Sequence, residues 1–112
     1  MPNGGDKNWV RACGAIDGFR ARYKRWPKRV CVHPMIFRDL VEHVLTPIGF
    51  ALVSSVVAIE ADQSGDPDLT LVAMDDDGLE YDYGRLGFPE EFGEQGAREW
   101  FGSAILRDDL GW

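Results

Sequence analysis

Leu69-Thr70-Leu71-Val72-Ala73-Met74-Asp75-Asp76-Asp77-Gly78-Leu79-Glu80-Tyr81-Asp82-Tyr83 is the stretch that decides the fold of this 112-residue chain. Its first six residues are an apolar run suited to a strand. Asp77-Gly78 then marks a tight hairpin of the type that needs positive φ. On the return, Leu79, Tyr81 and Tyr83 alternate with Glu80 and Asp82, the period-two pattern of a strand with one buried face.

Working back from the hairpin, Ala61-Asp62-Gln63-Ser64-Gly65-Asp66-Pro67-Asp68 is a polar turn cluster, and residues 56–61 read as a further strand. Three consecutive antiparallel strands are therefore expected. Arg29-Val30-Cys31-Val32-His33 is short, alternating and β-branched, with Val30 and Val32 on the face opposite Cys31 and His33. Helical sequence separates it from the strand at 56–61, which provides the long crossover that parallel pairing of these two requires.

Trp9, Ala12, Ile16, Phe19 and Tyr23 recur at three- and four-residue steps and predict an amphipathic helix from about Asn8 to Lys24. Asp6 or Asn8 is placed to cap it, and Pro27 forces the chain out of helical geometry near Trp26. Gly14 and Gly18 lie four apart on the opposite face, where another backbone approaches or the helix bends. Pro34 opens a second helix, in which Phe37, Leu40, Val41, Val44 and Leu45 face inward while Arg38, Asp39 and Glu42 face water. Thr46-Pro47 repeats the cap-then-proline signal for a third helix through about Ser54. Beyond Arg85, weaker helical spacing runs through Ala97, Trp100, Phe101, Ala104 and Ile105.

The order is α-β-α-α-β-β-β-α. It predicts a single α+β domain over 1–112 whose helices pack on one face of a four-stranded, mostly antiparallel sheet. Residues 1–7 are expected to be flexible and 85–112 looser. A chain of this length buries roughly 65% of its unfolded surface, sufficient for one core without metal or disulfide support. No apolar run reaches the roughly 18 residues needed to cross a bilayer, and the N-terminus lacks a signal-peptide layout. A cytoplasmic protein with no membrane association is expected. Two cysteines, Cys13 and Cys31, are expected as free buried thiols.

Charge is sorted along the chain. Residues 1–38 hold nine Lys/Arg against two acids, residues 39–112 hold three Lys/Arg against seventeen Asp/Glu, and the net charge is −7. If the two territories stay separate and exposed on the fold, they steer partners electrostatically. The acidic set Asp62, Asp66, Asp68, Asp75, Asp76, Asp77, Glu80 and Asp82 would then face a protein partner with a basic surface. Phe88, Phe92, Trp100, Phe101 and Trp112 form an aromatic tail suited to a partner or to a homodimer. Arg20, Arg22, Lys24, Arg25, Trp26, Lys28 and Arg29 interleave cations with aromatics, a combination that neutralises phosphates and stacks on bases. The net negative charge weighs against nucleic acid at long range.

Other chemistry is poorly represented. Asp62, Ser64, Asp66 and Asp68 alternate as in a calcium loop, but Pro67 stands where a Gly must turn and Ala73 where a bidentate Glu must close the site. Cys31 and His33 share a strand face, yet side chains two apart on a strand are roughly 7 Å from one another, beyond a hydrogen bond. Neither histidine has a partner at zinc spacing, and no phosphate loop or nucleophile elbow occurs. No metal or cofactor is expected. The sequence predicts a non-enzymatic interaction or regulatory protein. Its most concrete form is an inhibitor docking on a basic, nucleic-acid-binding surface, as phage and mobile-element inhibitors do. Nucleic-acid binding through 19–29 and a small Cys31/His33 enzyme are the alternatives.

Overall fold

The structure, a computed structural model, describes residues 6–63, 70–89 and 92–107. Four strands, β1 (Arg29–Val32), β2 (Ala58–Ala61), β3 (Leu71–Met74) and β4 (Glu80–Asp82), form one mixed sheet in the order β2-β1-β3-β4. β1 runs parallel to β2 and antiparallel to β3, and β3 and β4 form the hairpin. The parallel pairing follows the sequence expectation. The run of three antiparallel neighbours does not, because β1 is inserted between β2 and β3. With Val30 and Val32 fully buried, β1 has the most to gain from a central position with both edges hydrogen-bonded.

The helices cover one face. α1 (Lys7–Tyr23), α2 (Pro34–Asp39), α3 (Pro47–Ser54), α4 (Tyr83–Leu86) and α5 (Ala97–Phe101) are the α-helices among the described residues, and a π-helical turn follows α2. Ile59, Val30, Ala73 and Tyr81 stand in register across the sheet and meet Trp9, Ile16, Phe19, Leu40 and Val53 in a single buried core. α1 begins one residue earlier than its stripe suggested, at Lys7. Asp6 occupies the cap position without a side-chain cap bond, and Asn8 instead donates to Asp39 at 2.9 Å. Aromatic rings, not another backbone, lie against the two glycines of α1: Tyr83 and Phe88 over Gly14, and Tyr81 over Gly18.

The second helix is not uniform. After Asp39 it widens into a π-helical turn over Leu40–Val44, with Leu45 N–H donating to Leu40 O. α3 matches its signal, since Thr46 Oγ1 accepts from Gly49 N–H at 2.9 Å with Pro47 in the first turn. The hairpin turns where expected, with Gly78 at φ 86°, but as a three-residue loop over Asp76, Asp77 and Gly78 closed by Asp75 N–H donating to Leu79 O. Tyr83, expected to prolong the last strand, instead opens the single turn of α4, capped by Asp82 accepting from Arg85 N–H. None of the helices among the described residues is long and apolar enough to cross a membrane. Both cysteines are free, but only Cys13 is fully buried, while Cys31 is half-exposed.

Candidate functional site: the open face of the sheet

Strand alternation sends every second side chain away from the helices. On that side two rows cross the sheet in register. One runs Glu60, Cys31, Val72, Asp82 and the other Ala58, Arg29, Met74, Glu80. None of these eight residues is buried. The middle sets soft, apolar side chains beside one cation: Cys31 Sγ lies 3.9 Å from Met74 Sδ, and Arg29, next to Met74, is paired with Asp76 and Glu60. Both edges are acidic, Glu60 with the following Asp62 on the β2 side and Glu80 with Asp82 on the β4 side. The field is felt at the centre: burial pushes the Cys31 thiol above its ordinary value, and Glu60 and Asp62 push it further against the opposing pull of Arg29.

The hairpin tip draws part of the basic stretch to itself. Asp75 is buried and accepts from the backbone N–H groups of Asp77 at 3.0 Å and Leu79 at 3.1 Å, and from Arg25. Arg25 also reaches Asp77, while Arg29 bridges Asp76 and Glu60. Arg20 is buried between Asp17 and the rings of Trp26 and Phe92. Arg22 lies over Tyr81 at 5.0 Å. Among the described residues Arg22, Lys24 and Lys28 form no ion pair, and Lys24 closes α1 in the left-handed region. The two charged territories are therefore partly matched side by side, a correction to the separation that the sequence suggested.

The acidic set divides accordingly. Asp75 holds the turn, Asp76 and Asp77 are exposed but bonded to arginines, and Asp62, Glu80 and Asp82 border the open face. Asp66, Asp68 and Trp112 lie outside the described residues. The aromatic tail folds back onto α1 instead of the sheet. Phe101 packs on Trp9 and Trp26, Phe92 sits under Arg20, and only Phe88 and Trp100 stay mostly exposed. Glu60, Val72 and Met74, which complete the open face, were absent from the sequence-derived set. Their signal is the strand alternation itself, once β1 is known to separate β2 from β3.

The Cys31/His33 pair lacks the features of an activated thiol. His33 Nδ1 accepts from Met35 N–H at 3.1 Å as the cap of α2, and the carboxylates around Cys31 oppose thiolate formation. Among the described residues no three His, Cys, Asp or Glu side chains converge as a metal-ligand set. A cleft of about 570 Å³ runs between α1 and α5, lined in part by Trp9, Cys13, Asp17, Phe88 and Arg98. Its most buried carboxylate is Asp6, whose Oδ2 lies 3.6 Å from Arg98 without a hydrogen bond, while Asp17 is engaged by Ala97 N–H and Arg20. Fold and site together define an α+β domain with one helix-covered and one open sheet face. Comparison of the chain with family models, with curated proteins and with solved structures finds no match.

Proposed function

We propose that this protein is a non-enzymatic interaction protein that docks on a basic surface of a protein partner through the open face of its sheet, acting there as an inhibitor or adaptor. The observation that carries the reading is the arrangement of that face, with Cys31, Val72 and Met74 at its centre beside an internally paired Arg29, and Glu60, Glu80 and Asp82 at its rims. An apolar core with a charged rim is the anatomy of a protein interface. A rim of carboxylates selects a partner presenting Lys or Arg at that spacing and speeds encounter with it. A protein groove that otherwise holds nucleic acid presents such a surface, so an inhibitor that imitates phosphates there is the most concrete form of the proposal. The raised Cys31 thiol and the committed His33 support a non-enzymatic role.

Cys31 makes the test direct, because it sits mid-face while Cys13 is buried. The immobilised protein should capture a partner from lysate of its source cells, and that partner should protect Cys31 from maleimide alkylation. Capture should weaken with salt, and the Val72→Glu and Glu80→Lys variants should lose it. Undiminished capture by both variants, or alkylation of Cys31 at the free rate in the complex, overturns the site. A partner that keeps its full nucleic-acid affinity when bound overturns the inhibitor form.

A further inference from the structure

The cleft between α1 and α5 holds a polar atom that the fold leaves unsatisfied. Asp6 stands just ahead of α1 with its side chain only 9% exposed, and its Oδ2 is buried with no hydrogen bond. Such an acceptor is rare in a native interior, because desolvation without a donor is destabilising, more so for a charged group. The cation beside it is Arg98, whose guanidinium stops 3.6 Å away and whose side chain is 53% exposed. Arg98 attracts the carboxylate without bonding it and is free to swing into solvent. Trp9, Val10, Phe88 and Leu106 give the same cleft an apolar lining, and an added Cβ at Gly102 would meet nothing within 4 Å. At about 570 Å³ the cleft falls within the roughly 300–1,000 Å³ of small-molecule sites.

We propose that this cleft binds a small organic amine, its ammonium donating to Asp6 Oδ2 and its apolar body lying against Trp9 and Phe88. Charge decides the head group. Asp6, Asp17 and Glu99 line the cleft against a single cationic lining residue, Arg98, so a carboxylate or phosphate ligand is repelled. The negative potential is felt inside: burial lifts the Cys13 thiol well above its ordinary value, and Asp17 and Asp6 lift it further against Arg98. Asp17 is not the anchor, because Ala97 N–H and Arg20 already engage it. A metal ion fits less well, since among the described residues no three His, Cys, Asp or Glu side chains converge. An ammonium is compact and carries three donors, which suits the oxygen that Arg98 leaves unbonded.

Chemical-shift titration of the isotope-labelled protein tests this with three probes that share one apolar body: phenethylamine, phenethyl alcohol and phenylacetate. The amine should move the amides of Asp6, Trp9, Cys13 and Arg98 with a millimolar or tighter dissociation constant. The alcohol should bind at least about tenfold more weakly, for want of a charge-assisted bond, and phenylacetate should not bind. Asp6→Asn keeps the shape without the charge and should weaken the amine at least about tenfold, whereas Arg98→Gln should strengthen it by removing a competing cation. The order of the three head groups on the unmodified protein decides the matter even where the Asp6 variant fails to fold. No shift at roughly 10 mM amine, shifts that map away from the cleft, or an alcohol as tight as the amine overturns the proposal. So does a folded Asp6→Asn variant that binds the amine undiminished, or a loss of binding in Arg98→Gln. The cleft lies on the helical side of the sheet, so none of these outcomes depends on whether a partner docks on the open face.

Discussion

Two glycines of α1 show how a single hydrogen atom shapes the packing. An added Cβ at Gly18 would stand 2.1 Å from the Tyr81 ring. That ring cannot retreat, being buried with its Oη donating to Gly87 O at 2.6 Å. Gly18→Ala should therefore lose about 1–3 kcal/mol to overpacking, against a helix-propensity gain of about 1 kcal/mol, and show a lower denaturant midpoint. Gly14→Ala meets Tyr83 and Phe88, which are half-exposed and exposed and can swing aside, so its net effect should be near zero. Carboxylates give a second prediction at this scale. Burial opposes the Asp75 charge, but bonds from Leu79 N–H, Asp77 N–H and Arg25 outweigh it and hold the carboxyl below its ordinary value of 3.8. Above 3.8 that stabilisation is fully present, and it fades as pH falls through the folded value. Asp17 has the opposite sign. Burial raises it despite its bonds to Ala97 and Arg20, so the native state holds more proton than the unfolded chain and stability falls as pH rises from 3.8 across the raised value. In urea titrations between pH 2 and 7, Asp75→Asn should flatten the acid loss, and Asp17→Asn should steepen it by removing the opposing slope.

At the scale of elements, α5 is positioned by α1. Asp17 accepts the first N–H of α5, that of Ala97, with both carboxylate oxygens at 3.0 and 3.2 Å, and Arg20 bonds Gln95 O at 2.9 Å. Asp17→Ala removes what amounts to a helix cap supplied by another element. It should cost about 0.5–2 kcal/mol, accelerate amide exchange over 97–101, and shift Trp100 emission as its contact with Trp26 loosens. Asp17→Asn keeps an acceptor and should lose less. None of this was legible in the sequence, because Asp17 and Ala97 are eighty residues apart and the tail's own periodicity is weak. What was legible were elements with local signals: the stripe of α1, the Thr46-Pro47 cap, the Asp77-Gly78 turn. The π-helical turn was hidden for a physical reason. Phe37, Leu40, Val44 and Leu45 satisfy an α-helical pattern whether or not the ladder widens by one residue. The widening shows in the Leu45 N–H bond to Leu40 O, and Arg107 takes up two neighbouring carbonyls, its guanidinium donating to Val41 O and its N–H to Val44 O.

Across the whole molecule, the sorting of charge along the chain is partly undone by folding. The hairpin brings Asp75, Asp76 and Asp77 onto Arg25 and Arg29, so residues about fifty apart neutralise one another. The sequence displayed both charge blocks but not their meeting, which depends on β1 lying beside β3. By the same token, the open face could not be read until the strand order was fixed, even though Asp62, Glu80 and Asp82 had already been singled out. Within residues 19–29 what remains uncompensated is modest, with Arg22, Lys24 and Lys28 unpaired among the described residues. Three phosphate contacts from that stretch give a salt slope near −2.7 on duplex DNA, so a gel shift that depends on it should vanish by physiological ionic strength. The internal pairing has its own test in two double variants of equal net charge, Arg25→Gln with Arg29→Gln and Lys24→Gln with Lys28→Gln. If self-repulsion of an acidic chain governed stability, both would fall alike, since each adds two negative units. If specific pairing governs it, only the arginine variant should lower the denaturant midpoint, because it leaves the buried Asp75 without its guanidinium. It should also be retained more strongly on an anion exchanger than the lysine variant, because Asp76 and Asp77 lose their bonded arginines. Equal midpoints and equal retention would mean that the hairpin arginines are solvated charges like any other.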